Sequence, residues 1–164
     1  MGTQTRQSDF GPPVAPIGDR WLQVTPGECF TIRTSCSDTN GAYVAFEFVA
    51  EPRNGVPMHV HDNEEEHFII IDGTVHIANG GKTVDATAGM SVTVAKGVPH
   101  AWCNLADSRV RMLVIFTPGR IEGLFRATAS RQGGDPAAIA HAYGTRIVGP
   151  PLAEGLYTIA TPRT

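Results

Sequence analysis

Several features that mark other classes of protein are scarce in this sequence of 164 residues. Charged residues make up 18% of the chain, below the usual ~25%. The net charge is −3 and there is no basic stripe or cluster, so a nucleic-acid partner is not expected. No apolar run reaches the ~18 residues that span a membrane, so no membrane partner is expected either.

Cysteine is also scarce, and the chain does not begin with the pattern of a secretory signal. Cys29, Cys36 and Cys103 are odd in number and lack CxxC spacing, which fits reduced thiols. The N-terminal segment is polar and then rich in Pro and Gly, without the apolar stretch of a signal peptide. We therefore expect a flexible arm over residues 1–18, a single domain over residues 19–164 and a cytoplasmic location.

Glycine and proline, by contrast, are frequent, with 18 and 12 residues, and they indicate many turns and short elements. Asn-Gly and Asp-Gly pairs separate stretches that are rich in β-branched and aromatic residues, as in hairpins. Strands at spacings of ~8–12 residues with such turns are typical of an all-β barrel or sandwich. Strands are predicted over residues 21–24, 30–34, 42–49, 68–71, 75–78, 83–86, 91–94 and 110–117.

Helical spacing replaces the period of two after the last of these strands. Ile121, Leu124 and Phe125 have the i, i+3, i+4 spacing of one helix face. Asp135 and Pro136 are typical of an N-cap and the first residue of a second helix. One or two short helices are therefore predicted near the C-terminus, where the first can either cap a pocket or pack on the sheet.

Three histidines and one glutamate form a pattern suited to a metal ion. On a strand, His59 and His61 point to the same face with Cα atoms ~6.5 Å apart, so both imidazoles can reach one ion at bond lengths of about 2 Å. Glu66 begins the next strand-like stretch and supplies an oxygen. His100 is the candidate for the fourth ligand.

The segments around these residues resemble the two motifs of the cupin family. GVPMHVHDNEEEHFIIIDG (residues 55–73) resembles the first motif, and GMSVTVAKGVPHAWCN (residues 89–104) resembles the second, with Ala95 where the family usually has proline. The resemblance implies an all-β double-stranded β-helix (cupin or jelly-roll) barrel, with its motif-bearing core over residues 41–117 and a C-terminal helical extension over residues 118–164. The ligand set that it implies is His59, His61, Glu66 and His100.

Alternation along the strands predicts which neighbours of the ligands line a pocket. Side chains with the facing of Glu66 or His100 should point inward, and they are mainly apolar or aromatic. Asn104 shares this facing, and the resemblance implies a structural role for it behind the ligands. The predicted substrate pocket consists of Phe68, Ile70, Trp102 and Phe116.

Other polar residues near the motifs have simpler interpretations. Glu64 and Glu65 are expected in a solvated loop that adds negative potential at the barrel mouth. His67 alternates with the glutamate ligand and should point outward. Arg109 and Arg111 alternate with apolar residues, and the pattern does not decide which of the two sets faces inward.

The donor set restricts the ion more than it restricts the reaction. Three imidazoles and a carboxylate suit one divalent transition metal ion, which can be Fe, Mn, Ni, Cu, Co or Zn. Four protein ligands leave one or two open positions, which permit oxygen chemistry on a redox metal and Lewis-acid chemistry on zinc. If the pocket lacks a fixed cation, it suits a small, neutral, apolar or aromatic substrate.

Three functions follow as alternatives. The first is a dioxygenase similar to quercetin 2,3-dioxygenase, acting on a small aromatic, flavonol-like or enol substrate with Glu66 as metal ligand and catalytic base. The second is a redox-neutral cyclase, isomerase or lyase that uses the ion to polarise a carbonyl. The third is a non-catalytic cupin that binds a small molecule. The resemblance also implies a homodimer.

Overall fold

The computed structural model describes residues 21–130 and 134–153 of the chain. These residues fold mainly into strands, with two short helices between the last two strands. The predicted flexible arm lies outside the described residues. The strands before the helices are β1 (Leu22–Thr25), β2 (Glu28–Thr34), β3 (Val44–Ala50), β4 (Pro57–His61), β5 (Glu65–Asp72), β6 (Thr74–Asn79), β7 (Lys82–Thr87), β8 (Ser91–Val94), β9 (His100–Cys103) and β10 (Val110–Thr117).

The strands form two antiparallel sheets. One is six-stranded in the order β1-β2-β3-β10-β5-β8, and the other is five-stranded and contains β4-β9-β6-β7 in that order. Buried side chains of both sheets, such as Phe46 and Ile77, belong to one hydrophobic cluster, so the core lies between the sheets. This is the predicted jelly-roll architecture, and the prediction of an all-β fold is confirmed.

Alternation along β10 shows how the sequence specifies the inner face. Val110, Met112 and Val114 are buried, whereas Arg111 lies on the outer face and pairs there with Glu47 of β3. Because side chains alternate between the faces of a strand, this arrangement answers the question that the sequence left open. The apolar set faces inward and the arginines face outward.

The segment after β10 carries the helices and a final strand. A 3₁₀ turn (Gly119–Ile121) leads into α1 (Glu122–Ala129), and α2 (Pro136–Ala142) precedes β11 (Thr145–Pro151), which pairs with β4. The prediction of short helices near the C-terminus is confirmed. Within residues 21–130 and 134–153, no helix has the length and apolar character that crossing a bilayer requires.

Capping of α2 follows its sequence closely. The Asp135 side chain accepts a hydrogen bond from the backbone N–H of Ala137 at 3.0 Å, and Pro136 occupies the first turn. At the other end, Gly144 has a φ of +76°, a conformation that L-residues with side chains rarely adopt. The predicted start and end of this helix are therefore explained by local chemistry.

β11 was not among the predicted strands. It contains Gly149, Pro150 and Pro151, and a proline cannot donate a hydrogen bond to a neighbouring strand. Such residues are tolerated at the edge of a sheet, and β11 is the edge strand beside β4. The strand therefore depends on its tertiary position, which local sequence patterns do not contain.

The helix α1 packs its apolar side against the phenylalanines of the six-stranded sheet. The ring centroid of Phe125 lies 4.6 Å from that of Phe46, 5.6 Å from that of Phe48 and 5.6 Å from that of Phe116. Phe125 is partly buried against the core, so it contributes less than the roughly 1.5–3 kcal/mol of a fully buried aromatic side chain. This packing holds the helix over the inner face of the sheet.

Candidate metal centre

The predicted metal ligands lie on three neighbouring segments of the barrel. His59 and His61 are on β4, Glu66 is on β5 and His100 is on β9. His59 and His100 are direct partners in the pairing of β4 with β9, and Glu66 approaches from the other sheet. All four side chains are buried. The strand geometry therefore converts two separate motifs into one cluster.

The geometry of this cluster fits a single ion. One ligand atom from each of the four residues lies within 4.8 Å of the others. The Oε2 atom of Glu66 is 2.7 Å from Nε2 of His100 and 3.2 Å from Nε2 of His61. The rings of His59 and His100 have centroids 4.2 Å apart. A buried set of three imidazoles and one carboxylate can hold a divalent transition metal ion.

Backbone carbonyls orient two of the imidazoles. Nδ1 of His59 lies 2.8 Å from the carbonyl oxygen of Pro57, and Nδ1 of His100 lies 2.9 Å from that of Val98. Because a carbonyl oxygen only accepts, each Nδ1 carries the proton and donates it. Nε2 of a neutral ring then offers its lone pair, as metal-binding histidines commonly do. Nε2 of His100, 2.7 Å from Oε2 of Glu66, instead donates a proton to that carboxylate, and a metal ion would have to displace this proton.

The third imidazole is oriented by a residue that the sequence did not indicate. Nδ1 of His61 lies 2.9 Å from the hydroxyl oxygen of Thr145, the first residue of β11, and both side chains are buried. Thr145 is the strand partner of His61. The contact joins residues 84 positions apart in the chain, so only the pairing of β11 with β4 reveals it.

The electrostatics of the cluster favour the protonation states that a metal requires at Glu66 and His59, and oppose them at His100. Burial acts to raise the pKa of Glu66, but hydrogen bonds from His100 and His61 outweigh it and hold that pKa well below its usual range. Burial, together with the charges of His100 and His61, lowers the pKa of His59 to about 3. Burial acts to lower the pKa of His100, yet the hydrogen bond to Glu66 raises it. An ionised carboxylate and a neutral imidazole are therefore present at neutral pH.

The cluster opens onto a cavity of about 90 Å³. Its inner side carries His59, His61 and Glu66, and α1 and α2 cover it with Leu124 and Ala140. No Lys or Arg is present among the described residues that line it. The apolar and aromatic wall of the two sheets consists of Val24, Phe48, Val56, Pro57, Trp102, Met112, Val114, Phe116 and Ile147.

The four predicted pocket residues separate into two groups. Trp102 and Phe116 lie on the wall of the cavity. The structure places Phe68 and Ile70 in the hydrophobic core instead, with exposures of 0% and 2%. They have the inward facing of Glu66, but neither is among the residues that line the cavity, although their strand partners Val114 and Met112 on β10 are. Facing alone did not reveal which part of the inner face borders the cavity.

Asn104 has a structural environment. Its side-chain amide donates to the carbonyl oxygens of Ala50 at 3.1 Å and Ser108 at 2.9 Å, and its oxygen accepts from the N–H of Ala106 at 3.0 Å. These bonds fasten the loop between β9 and β10 to the end of β3. The residue therefore holds backbone in place, and none of these contacts involves a ligand of the cluster.

One residue of the acidic loop before β5 is not solvated as the sequence predicted. Glu65 is exposed, and His67 lies outside the barrel, where its Nδ1 is 3.1 Å from the hydroxyl of Thr93. Glu64, however, is only 3% exposed, and its Oε2 atom has no hydrogen-bond partner among the described residues. Burial raises the pKa of Glu64. The prediction of a solvated loop is therefore wrong for this side chain.

A second carboxyl on the cavity wall was also missed. Glu28, the first residue of β2, is 3% exposed and lines the cavity together with the metal cluster. Burial raises its pKa to about 7, and a hydrogen bond from Thr25 at 3.2 Å only partly offsets the effect. Alternation could have indicated this residue, because Glu28 shares the facing of the buried Phe30.

Comparisons with known proteins agree with this architecture. A family model described as "Cupin domain" matches residues 46–116, which include all four candidate ligands. No curated protein matches the sequence significantly. The fold and the match together show that residues 46–116 of this chain form a cupin domain. The resemblance seen in its two motifs is thereby confirmed.

Solved structures of other cupins share the fold at low sequence identity. An RmlC-like cupin from Shewanella frigidimarina is 17% identical, with a TM-score of 0.58 over 72% of this chain and 98% of that one. A predicted oxalate decarboxylase from Thermotoga maritima is 20% identical, with a TM-score of 0.54 over 60% and 90%. The polyketide cyclase RemF from Streptomyces resistomycificus is 19% identical, with a TM-score of 0.51 over 58% and 68%. At such identities the likeness establishes the fold and not the reaction.

Proposed function

We propose that this cupin is a metal-dependent enzyme that acts on a small, neutral aromatic or enol substrate, most simply as a dioxygenase. The observation that carries the proposal is a buried cluster of three histidines and one glutamate that opens onto a mainly apolar cavity. A divalent metal ion held by His59, His61, Glu66 and His100 supplies a Lewis acid and, when it is redox-active, a site for oxygen chemistry.

Glu66 is the residue of this chain best placed to move a proton. Its carboxylate is ionised at neutral pH, because hydrogen bonds from His100 and His61 hold its pKa low. A phenol or enol that enters the cavity with its hydroxyl toward the cluster can transfer its proton to Oε2 of Glu66. In this role the carboxylate is both a candidate metal ligand and a catalytic base.

The cavity wall supports a neutral substrate over a charged one. Without a lining Lys or Arg among the described residues, a phosphate or carboxylate group away from the metal-binding cluster would be buried without a countercharge, which is costly. The aromatic side chains of Trp102 and Phe116 offer flat apolar surface to a ring. The cavity of about 90 Å³ is smaller than the ~150 Å³ cavity that binds benzene. A one-ring substrate therefore fits only if α1 or α2 shifts slightly outward.

A redox-neutral reaction is the second candidate. One of the similar structures is a polyketide cyclase, and the same four ligands also suit zinc, which polarises a carbonyl without exchanging electrons. Cyclisation or isomerisation of an enolisable substrate would use the same apolar wall and the same Glu66 base. The two candidates differ in the metal and in the need for oxygen.

Metal content and oxygen uptake separate these candidates. The protein is purified without added metal and its metal content is determined by elemental analysis. Oxygen uptake is then measured with catechols and flavonols after loading with iron, copper, nickel or manganese. Uptake that is lost in His61→Ala supports the dioxygenase. Zinc as purified, with turnover under anaerobic conditions, supports the redox-neutral enzyme, and stoichiometric retention of a ligand without turnover indicates a binding protein.

A further inference from the structure

Glu28 is a buried carboxyl group in the cavity for which the proposed chemistry has no use. It is 3% exposed and lines the same cavity as His59, His61 and Glu66. The wall around it is apolar, with Val24, Phe48 and Met112 among its residues. A carboxyl group in such surroundings is costly unless it finds a polar partner or remains protonated.

Strand register places Glu28 far from the metal cluster. Glu28 is level with Ala50 and Val110, whereas Glu66 is level with Phe116. Val110 and Phe116 lie near opposite ends of the eight-residue strand β10, so the two levels are roughly 20 Å apart along the strand at about 3.3 Å per residue. Glu28 is therefore out of reach of an ion held by the cluster and contacts a different part of any ligand.

The hydrogen bonding of Glu28 leaves capacity for a ligand. Among the described residues, its only hydrogen-bond partner is the hydroxyl of Thr25, 3.2 Å from Oε2. That hydroxyl is also 3.2 Å from Oδ1 of Asn54, so its single proton is shared between two acceptors. The Oε1 atom of Glu28 makes no hydrogen bond to any described residue. Burial raises the pKa of Glu28 to about 7, so the group is often protonated at neutral pH and can then donate.

We propose that Glu28 is a second polar anchor of the cavity, which binds an oxygen function of the substrate at the end remote from the metal cluster. The substrate class is then an elongated, mainly apolar molecule with one oxygen group for the metal and another for Glu28, and its entry requires α1 and α2 to move further outward than a one-ring substrate does. The inference rests on the proposed function only in taking this cavity as the substrate site. Glu28 acts as a positioning residue and not as a participant at the reacting atoms.

The test compares two one-ring probes of nearly equal shape, p-cresol and p-xylene, which differ only in a hydroxyl in place of a methyl group. Dissociation constants are measured by ligand-detected NMR for the full chain as purified and again after chelation. The quantity of interest is the ratio of the p-xylene constant to the p-cresol constant. Structural damage that weakens both probes equally leaves this ratio unchanged. The assay needs no metal and no turnover, so failure of the proposed enzyme activity does not affect it.

We expect the ratio of the two dissociation constants to fall roughly 3- to 10-fold in Glu28→Met, because this variant loses about one buried hydrogen bond to p-cresol. The ratio should be unchanged in Glu51→Gln, which removes an exposed carboxylate nearby, and should persist in His61→Ala. An unchanged ratio in Glu28→Met, or a ratio that falls only in His61→Ala, overturns the proposal. Failure of the wild-type protein to bind either probe also overturns it.

A second measurement covers the case in which Glu28→Met does not fold. A protonated carboxyl has a separate infrared C=O band, which is assigned to Glu28 by its absence in Glu28→Gln. Addition of p-cresol to the wild-type protein should shift this band, and addition of p-xylene should leave it in place. If neither probe shifts the band, or if both probes shift it equally, the hydroxyl of p-cresol does not bind Glu28 and the proposal is wrong.

Discussion

Glu28 and Glu66 are buried carboxyls on the wall of one cavity, yet their surroundings move their pKa values in opposite directions. Burial alone raises the pKa of both groups. Glu66 accepts hydrogen bonds from His100 and His61, which more than compensate for the lost water, whereas Glu28 has only one hydroxyl partner. Burial therefore raises the pKa of each carboxyl, and the number and charge of its hydrogen-bond partners decide whether the group ionises.

The difference divides the cavity into two ends with different chemistry. The end with Glu66 is anionic and rich in nitrogen donors, and it suits a cation. The end with Glu28 is apolar and its carboxyl is about half protonated at pH 7, so it suits a hydroxyl or carbonyl group. A metal-binding end and a hydrogen-bonding end on one cavity would orient a substrate along the barrel. Substitutions at Glu28 and at the metal ligands affect the two ends separately.

The largest effect is expected from removing a ligand at the Glu66 end. In His100→Ala the cluster loses one of its nitrogen donors and leaves the buried Glu66 without its 2.7 Å partner. We expect metal occupancy after purification to fall below about a tenth of the wild-type value, since loss of even an outer-shell partner costs ~10–100-fold in affinity. Elemental analysis checks this.

His67→Ala is the matched control for that experiment, because His67 adjoins Glu66 in sequence but lies on the outer face of β5. It should retain full metal occupancy. Wild-type occupancy in His100→Ala would mean that the ion binds elsewhere, and the contrast between the two ends of the cavity would then lose its basis.

The next effect concerns stability and the Glu28 end. The pKa of Glu28 rises from 4.5 to about 7 on folding, so the folded state keeps a proton that the unfolded state loses between these pH values. Its contribution is therefore favourable at low pH and is lost as the pH rises through about 7. Glu28→Gln removes this titration and should raise the free energy of unfolding by about 3 kcal/mol at pH 8, with little change near pH 4.5.

Urea denaturation of the wild-type protein and Glu28→Gln at the two pH values measures this difference. Glu51→Gln serves as the control, because an exposed substitution usually changes stability by no more than about 0.5 kcal/mol. An equal effect of Glu28→Gln at both pH values would show that folding does not raise the pKa of Glu28. The two glutamates would then be alike, and the contrast between the ends of the cavity would fail.

The ligands at the metal-binding end were predictable from sequence because the spacing patterns that identify them are local. His59 and His61 share a face of one strand, and the spacing of Glu66 and His100 within two short motifs needs no knowledge of the rest of the chain. The fold follows from the same motifs and from the period-two pattern, because turns and alternation are short-range properties.

The Glu28 end and the supports of the cluster depend on tertiary position. Thr145 reaches His61 only because β11 adds to the edge of a sheet beside β4. Glu64 looked solvated because its neighbours are charged, but the folded loop buries it. Phe68 has the inward facing but is not among the residues that line the cavity, although its strand partner Val114 is. Alternation gives direction across a sheet, and it does not show which part of the inner face borders a cavity.

The smallest effect tests whether the support of His61 matters to the metal-binding end. Thr145→Val removes the hydroxyl 2.9 Å from Nδ1 of His61 and keeps nearly the same volume. Without this partner the ring is free to rotate and its tautomer is less constrained, so we expect metal affinity to fall roughly 10-fold, within the range usual for such partners.

Competition with a chelating dye measures that affinity. Thr145→Ser retains a hydroxyl at the same position and should stay close to the wild-type affinity, which separates the hydrogen bond from general damage to β11. Equal loss in both variants would assign the effect to packing of the edge strand. No loss of metal affinity in Thr145→Val would mean that β4 alone positions His61. The metal-binding end would then depend on its hydrogen-bond partners less than the contrast with Glu28 implies.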